Sequence, residues 1–184
     1  MAPAIEMQKF FRVAAWPISL AAMISPRGWL AAVFLAALSA PAAAEEVCGT
    51  AIEVPAAETR ALAPFAERLG LKYPRAAVGT ISHVHATGRL PDCYLTKRAA
   101  EERGWHPGAD LWRRAPGHSI GGDSFGNREG LLPARNRYAE ADLDYAGGRR
   151  GAARLIFVRE SKGRWLMWVT TDHYKSFKEV PAPR

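Results

Sequence analysis

The sequence predicts an α+β fold in which N-terminal helices pack on an antiparallel sheet of four or five strands. Between Pro55 and Arg103, apolar residues recur at helical spacing, and glycines end each run. After Pro116 the pattern changes to short stretches rich in aromatic and β-branched residues, as in strands. With 48% hydrophobic and 23% charged residues, the composition of the 184-residue chain is that of an ordinary globular protein.

Residues 1–44 have the pattern of an export signal. Arg27 precedes an apolar run over residues 29–38, and small residues up to Ala44 precede Glu45. We expect cleavage after Ala44 and a secreted or periplasmic mature protein, with translation starting at Met1 or at Met23. A membrane anchor is the alternative, but the run is shorter than the roughly 20 residues that span a bilayer.

The predicted mature chain stays basic. Removal of residues 1–44 takes away three basic residues and one acidic residue, so the formal net charge falls from +7 to +5. A basic surface suits polyanions such as RNA. Many exported basic proteins do not bind nucleic acid, however, so charge alone leaves the choice open.

Three helices are predicted, each followed by a glycine. The first belongs to an N-terminal helical extension, residues 45–75, to which we assign a packing role. His83 and His85 on the second have no cysteine or acidic partner at ligand spacing, so we expect no metal. Asp92 or Thr96 is expected to cap the third helix. The predicted helices span Pro55–Leu69, Ala76–Thr87 and Tyr94–Arg103.

The second half of the chain predicts five strands, two of which carry charges in rows that are otherwise apolar. Alternation places Glu140 on one face with Tyr138 and Asp142, and Arg154 on one face with the apolar Ile156. A charge in such a row needs a partner or a chemical role. The predicted strands are Ser119–Asp123, Arg137–Leu143, Ala153–Arg159, Arg164–Thr170 and Ser176–Val180, with Glu160–Gly163 as a hairpin turn.

The segment Ala115–Gly130 follows neither period. It combines several glycines with Asp123 and an Asn-Arg-Glu triplet at 127–129. Glycines let the backbone approach a ligand closely, and loops on a rigid scaffold often carry binding residues. The segment is therefore a candidate binding loop, with a plain glycine-rich turn as the alternative.

Several stretches, taken together and in order, resemble the barnase-like family of bacterial ribonucleases. The resemblance covers roughly residues 76–180 and implies the microbial ribonuclease fold, with a domain at 76–184. It implies cleavage of RNA without a metal or cofactor. The sequence departs from the family's pattern at His118, Ser124, Gly126 and Arg149. The stretches are Arg89–Lys97, Gly104-Trp105, Ala115–Gly130, Glu140–Asp142 and Thr170–Tyr174.

The resemblance also implies roles for individual residues. Glu140 would be the general base and His173 the general acid. Asp123 would orient Lys97 or an arginine, and Tyr174 would line the site. Each also has a structural alternative, such as a cross-strand ion pair for Glu140 and Arg154. The cations around the reacting phosphate would be Lys97, Arg150 and Arg154.

Substrate preference and partners follow from the same resemblance. The segment Phe125, Gly126, Asn127, Arg128 and Glu129 matches the family's guanine-binding loop, which implies cleavage after guanosine through a 2′,3′-cyclic phosphate. We expect a single-stranded RNA substrate, a monomer without membrane contact, and a possible acidic cytoplasmic inhibitor of the barstar type. A non-catalytic basic module that binds RNA or a partner on the same fold is the alternative function.

A disulfide between Cys48 and Cys93 is the remaining expectation. These are the two cysteines of a chain predicted to be exported, and Cys93 stands where the family has Asn. The bond would attach the N-terminal extension to the ribonuclease-like domain.

Overall fold

The computed structural model describes residues 43–133, 137–160 and 163–182. The predicted export signal lies outside these residues except for Ala43 and Ala44, and so does the middle of the predicted turn at 160–163. None of the described helices has the length and apolar character needed to cross a bilayer.

The helices lie close to their predicted positions. The third is shorter than predicted because Tyr94 and Leu95 are extended and the Thr96 hydroxyl accepts a hydrogen bond from Ala99 N at 3.1 Å. Thr96 is therefore the N-cap, and the helix begins at Lys97. The helices are α1 (Ala56–Arg68), α2 (Pro74–Thr87) and α3 (Lys97–Glu102), with a short 3₁₀ helix at Leu111–Arg113.

Within the described part of the chain, six strands form the main sheet, one more than predicted. They follow one another in chain order, and each neighbouring pair is antiparallel except the first pair, which is parallel. The extra strand is the first one, and its two residues are too few to show an alternating pattern. The strands are β3 (Tyr94–Leu95), β4 (Ser119–Phe125), β5 (Tyr138–Asp142), β6 (Arg154–Arg159), β7 (Trp165–Thr170) and β8 (Lys178–Glu179).

A separate hairpin, β1 (Ala43–Val47) with β2 (Thr50–Val54), precedes α1 and was not predicted. Its two-residue turn has positive φ at Cys48 (50°) and Gly49 (77°), the backbone of a tight type I′ turn. The hairpin packs on α2 at Gly79, where an added Cβ would lie 2.7 Å from a Val47 methyl. The glycine thus permits the close approach of strand and helix.

The two faces of the main sheet differ in character. One face packs against α1 and α2 through a continuous apolar core that includes Leu62, Ile81, Ala141, Leu155 and Val169. The opposite face combines a smaller apolar cluster around Tyr138, Ile156 and Trp168 with buried polar side chains. That polar row includes Glu140, Asp142, Arg154 and Thr170, so the candidate site lies on the face away from α1 and α2.

The Cys48–Cys93 disulfide is present, as predicted. It joins the turn of the hairpin to the residue before β3, with Cα atoms 5.9 Å apart and a sequence separation of 45 residues. Cys93 O also accepts a hydrogen bond from Ser119 N at 3.0 Å, so the bond attaches the hairpin to the start of the β3–β4 pair.

Replacing both cysteines with alanine is expected to lower the free energy of unfolding by about 2–4 kcal/mol, because the unfolded chain is then no longer constrained by this loop. Urea denaturation of the double variant and of the oxidised and reduced wild type measures the effect. The reduced wild type is the matched control and should behave like the double variant. An unchanged urea midpoint in both would contradict the prediction.

Candidate active site

Strand β5 carries two buried carboxylates on the sheet face away from α1 and α2. Glu140 is 7% and Asp142 is 2% exposed, and because they lie two residues apart they share that face. Their register partners on β6 are Ile156 and Arg154. A buried carboxylate is costly unless it is paired, so the partners of these two residues define the site.

Glu140 is held from both sides. Lys97 Nζ lies 2.7 Å from Glu140 Oε1, and the Tyr174 hydroxyl donates to Oε2 at 2.7 Å. The Lys97 side chain is 42% exposed while that of Glu140 is 10% exposed, so the ammonium group faces solvent above the carboxylate. Burial, reinforced by the hydrogen bond to Glu140, raises the pKa of Tyr174 to about 12, which keeps the hydroxyl a proton donor at neutral pH.

Lys97 is positioned through its main chain. Asp123 Oδ2 accepts a hydrogen bond from Lys97 N at 2.9 Å, and Asp123 is also the register partner of Glu140 across β4 and β5. Together with the Thr96 cap, this contact fixes the first turn of α3 against the sheet. Asp123 therefore contacts the backbone of Lys97, and the ammonium group is left to bind Glu140.

Asp142 binds two arginines, a partnership that the sequence did not reveal. Arg150 Nε and its terminal nitrogen donate to the two Asp142 oxygens at 2.5 and 2.7 Å. Arg154 Nε lies 3.0 Å from Oδ1 as an ion pair whose angle is poor for a hydrogen bond. Arg154 also donates to the carbonyls of Gly151 and Ala153 at 2.8 and 2.7 Å. One carboxylate thus fixes two of the predicted phosphate-binding cations.

The two arginines differ in exposure. The Arg154 side chain is 6% exposed, whereas that of Arg150 is 19% exposed and lies over the Trp105 ring at 5.8 Å from its centroid. Burial alone lowers the pKa of Arg150, but the hydrogen bonds and charge of Asp142 outweigh it and raise that pKa above its ordinary value. Arg150 therefore stays charged beside the site.

The loop after β7 presents His173 and Tyr174 in an uncommon backbone conformation, with φ of 61° and 71°. Thr170 Oγ1 accepts from Tyr174 N at 3.1 Å and donates to Asp172 Oδ1 at 2.8 Å. Asp172 in turn accepts from Ser176 N at 3.0 Å and from its hydroxyl at 2.6 Å. These bonds hold two adjacent left-handed residues that an isolated chain would disfavour.

Tyr174 lies between His173, Glu140 and the predicted guanine-binding segment. His173 is exposed, and its ring centroid lies 5.4 Å from that of Tyr174. The Phe125 ring also stacks on the Tyr174 ring, with the ring centroids 5.2 Å apart and 28° between the planes. The structure therefore brings the predicted acid, the predicted base and the first residue of the predicted guanine-binding segment around one tyrosine.

The rest of the predicted guanine-binding segment forms a closed loop. Asn127, at φ 42°, binds Leu132 through both atoms of its amide, accepting from Leu132 N at 3.0 Å and donating to its carbonyl at 2.8 Å. Gly126, Arg128 and Glu129 are exposed. Asn127 thus shapes the loop from within, while the Glu129 carboxylate faces solvent.

A large cleft lies elsewhere. Its volume is about 1160 Å³, and the hairpin turn, the start of α2, Trp112 and Tyr145 line it. It reaches Asp142, but Glu140, Lys97 and His173 do not line it. This cleft is therefore separate from the candidate active site around Glu140. Across the described ranges, no cluster of three or more His, Cys, Asp or Glu side chains is arranged to hold a metal ion.

Comparison with known proteins identifies the family. The family model described as ribonuclease matches residues 80–181. A ribonuclease of Heyndrickxia coagulans is 45% identical over 95 residues, which cover 50% of this chain and 84% of that relative. Ribonucleases of Bacillus intermedius and Bacillus pumilus are equally similar, and the match spans 56% of the length of each. The matched region begins within α2, after the hairpin and α1, and includes every site residue from Lys97 to Tyr174; the chain belongs to the ribonuclease family.

Proposed function

We propose that the mature chain is an exported, metal-independent endoribonuclease that cleaves single-stranded RNA after guanosine by transphosphorylation. The observation that carries this proposal is the Glu140 carboxylate, held between Lys97 Nζ and the Tyr174 hydroxyl on the sheet face that also carries Arg150 and Arg154. A general base must be positioned to reach the proton that it removes, and the two hydrogen bonds hold this carboxylate in a fixed position.

In the proposed first step, Glu140 takes the proton from the ribose 2′-OH and the 2′-oxygen attacks phosphorus. The bond to the 5′-oxygen breaks as His173 protonates that oxygen, which yields a 2′,3′-cyclic phosphate and a 5′-OH. In the second step the roles reverse: His173 takes a proton from water and the water oxygen attacks phosphorus. The bond between phosphorus and the 2′-oxygen breaks as Glu140 returns its proton to that oxygen, which leaves a 3′-phosphate and a free 2′-OH.

The cations stabilise the charge that develops on the phosphate oxygens. Arg150 and Arg154 are fixed by Asp142 before substrate binds, so little reorganisation is needed. Lys97, with 42% of its side chain exposed, is free to turn from Glu140 towards the phosphate. That movement would also release the carboxylate to accept the 2′-OH proton.

The alternative, a non-catalytic module that binds RNA or a partner, needs only the cations. It gives no reason for the buried Glu140 or for the bonds that hold His173 and Tyr174 in left-handed conformations. Incubation of the mature protein with defined single-stranded RNA in EDTA, with mapping of the cut sites and of the 3′ ends, tests the proposal. Cyclic phosphate ends are expected, and intact RNA would favour the binding module.

Replacing Glu129 with Ala is expected to relax the preference for guanosine by about one to two decades. The carboxylate would accept hydrogen bonds from the ring N–H and exocyclic amine of guanine, and losing bonds to a charged acceptor costs roughly 1.5–3 kcal/mol. The ratio of kcat/KM for guanosine over adenosine sites measures it. Glu101→Ala, an exposed glutamate on α3, is the control and should keep the wild-type ratio. Equal cutting after all four bases by the wild type would remove the claim.

Asp172→Asn is expected to lower kcat by about tenfold to a hundredfold, because misplacement of a catalytic group by about 1 Å has effects of that size. Hydrogen bonds from Ser176 are the main reason that the pKa of Asp172 is lowered to about 2. The stabilisation of the loop by this carboxylate is therefore complete above the ordinary carboxyl pKa and is lost as the pH falls towards 2. Ser176→Ala removes the hydroxyl donor and keeps the backbone donor, so it should lower kcat by less. Wild-type kcat in Asp172→Asn would show that the loop does not need this carboxylate.

Export and partners complete the proposal. The disulfide supports an oxidising compartment, where such bonds persist. The exposed cations of a monomeric ribonuclease would suit an acidic cytoplasmic inhibitor of the barstar type. N-terminal sequencing of the protein recovered from periplasm or medium tests cleavage after Ala44.

A further inference from the structure

A ridge of basic side chains extends from the candidate site along the far side of α3. We define the basic ridge as Arg103, Arg114, His118 and Arg149. Arg103 terminates α3, six residues after Lys97 begins it, which places it about 9 Å along the helix axis. None of these four residues contacts Glu140 or Asp142 through a hydrogen bond or ion pair that the structure describes.

Contacts between the ridge residues make it one surface. Arg103 Nη1 lies 3.4 Å from His118 Nε2, and His118 Nδ1 lies 2.9 Å from Pro116 O. The second bond requires Nδ1 to carry the proton, so Nε2 accepts from Arg103. A Cβ on Gly104 would lie 3.8 Å from Arg114 Nε, which places the Arg114 side chain beside the residue that follows Arg103.

The ridge also meets the catalytic cations. Trp105 follows Gly104, and the Arg150 guanidinium lies over the Trp105 ring. Arg149, which is exposed, directly precedes Arg150. Arg103 and Gly104 thus lie within two residues of Trp105, over whose ring the Arg150 guanidinium lies.

Arginines outnumber acidic residues in the segment from Arg98 to His118, four to three. Glu102 is paired with Arg98 at 2.9 Å, which leaves Glu101 as the other acidic residue of α3. Asp110 is hydrogen-bonded to the Tyr145 hydroxyl and to Trp112 N and keeps its own charge. An arginine guanidinium is well suited to phosphate because its planar donors match two phosphate oxygens.

We infer that the basic ridge binds the backbone of single-stranded RNA beyond the scissile phosphate, as an additional phosphate-binding surface. The inference rests on the proposed function, since it extends the same substrate past the reacting nucleotide. A dinucleotide holds one phosphate and cannot reach Arg103 from Lys97, whereas an oligonucleotide can.

The test compares the double variant Arg103→Ala/Arg114→Ala with the matched control Arg60→Ala/Arg68→Ala, which removes two exposed arginines of α1. Binding is measured with a fluorescent 2′-deoxy oligonucleotide of about 12 nucleotides, which lacks the attacking hydroxyl and is not cleaved. Each phosphate contact to a single strand contributes about −0.7 to the log–log salt slope. Loss of two contacts should make that slope shallower by about 1.4.

As the salt rises from about 50 to 200 mM, this difference in slope lowers the ratio of the double variant's Kd to the wild-type Kd by about sevenfold. At the lower salt, the Kd of the double variant should therefore be at least about sevenfold above that of the wild type. The control should bind like the wild type. Equal Kd values for the two double variants would contradict the inference that the basic ridge binds the RNA backbone. Cleavage of a guanosine dinucleotide by the wild type is followed in parallel; absence of cleavage would overturn the proposed function, while the binding measurements still decide the ridge.

Discussion

Asp142→Asn is expected to lower the free energy of unfolding by about 3–5 kcal/mol, the usual cost of removing one partner from a buried ion pair. Asp142 is 2% exposed and compensates Arg154, whose side chain is 6% exposed, as well as Arg150. Asparagine keeps the shape of the side chain but carries no charge. Two guanidinium groups would then remain on the sheet face without their counter-charge.

The same change should reduce kcat/KM even where the variant is fully folded, because Arg150 and Arg154 lose the contacts that orient them towards the phosphate. Urea denaturation and kinetics on one dinucleotide substrate measure the two effects. Asp144→Asn is the matched control, since Asp144 accepts hydrogen bonds from the backbone of Lys72 and Tyr73 and its replacement should cost less. An Asp142→Asn variant within about 1 kcal/mol of the wild type would contradict the pairing.

The parts of the fold with strong periodicity were predictable from the sequence. Helices α1 and α2 and strands β4 to β7 all show an apolar pattern over several residues, and their positions were predicted to within a few residues. Strand β3 and the β1–β2 hairpin were missed. The two residues of β3 cannot show alternation. In the hairpin turn, Cys48 stands before Gly49 at a position where asparagine or aspartate usually indicates such a turn in a sequence.

The contacts between the candidate site residues were not predictable from the sequence. Alternation placed Glu140 and Asp142 on one face, and the charge of Arg154 in an apolar row indicated a partner. The partner itself, Asp142, depends on the β5–β6 register, which aligns Asp142 with Arg154 and which local pattern does not fix. The sequence did point towards this partner, because Asp142 is the other acidic residue on the face of β5 that carries Glu140.

The loop that holds His173 shows a different limit. Thr170, Asp172 and Ser176 are ordinary residues for a turn, and their spacing allows several hydrogen-bonding patterns. Only the folded backbone shows that they hold His173 and Tyr174 at positive φ. Sequence reasoning could therefore propose His173 as the acid without finding what orients it.

Glu140 and His173 are expected to act as one acid–base pair, so Glu140→Gln and His173→Gln should each lower kcat by about 10²–10⁴-fold. Glutamine keeps the bonds of Glu140 to Lys97 and Tyr174 partly intact, so the loss reports proton transfer more than folding. Activity of the wild type should be bell-shaped in pH, because the base acts ionised and the acid protonated. The acidic limb should disappear in Glu140→Gln and the basic limb in His173→Gln.

The double variant should lose less than the product of the two single losses, because both groups serve the same proton-transfer event and the cations that bind phosphate remain. Binding of the 2′-deoxy oligonucleotide is the control: Lys97, Arg150 and Arg154 are unchanged in both variants, so neither substitution should weaken it. Multiplicative losses would mean that the two residues act in separate steps. Near-normal cleavage in EDTA by either single variant would show that the base or the acid is another residue, with Tyr174, which contacts both, as the next residue to replace.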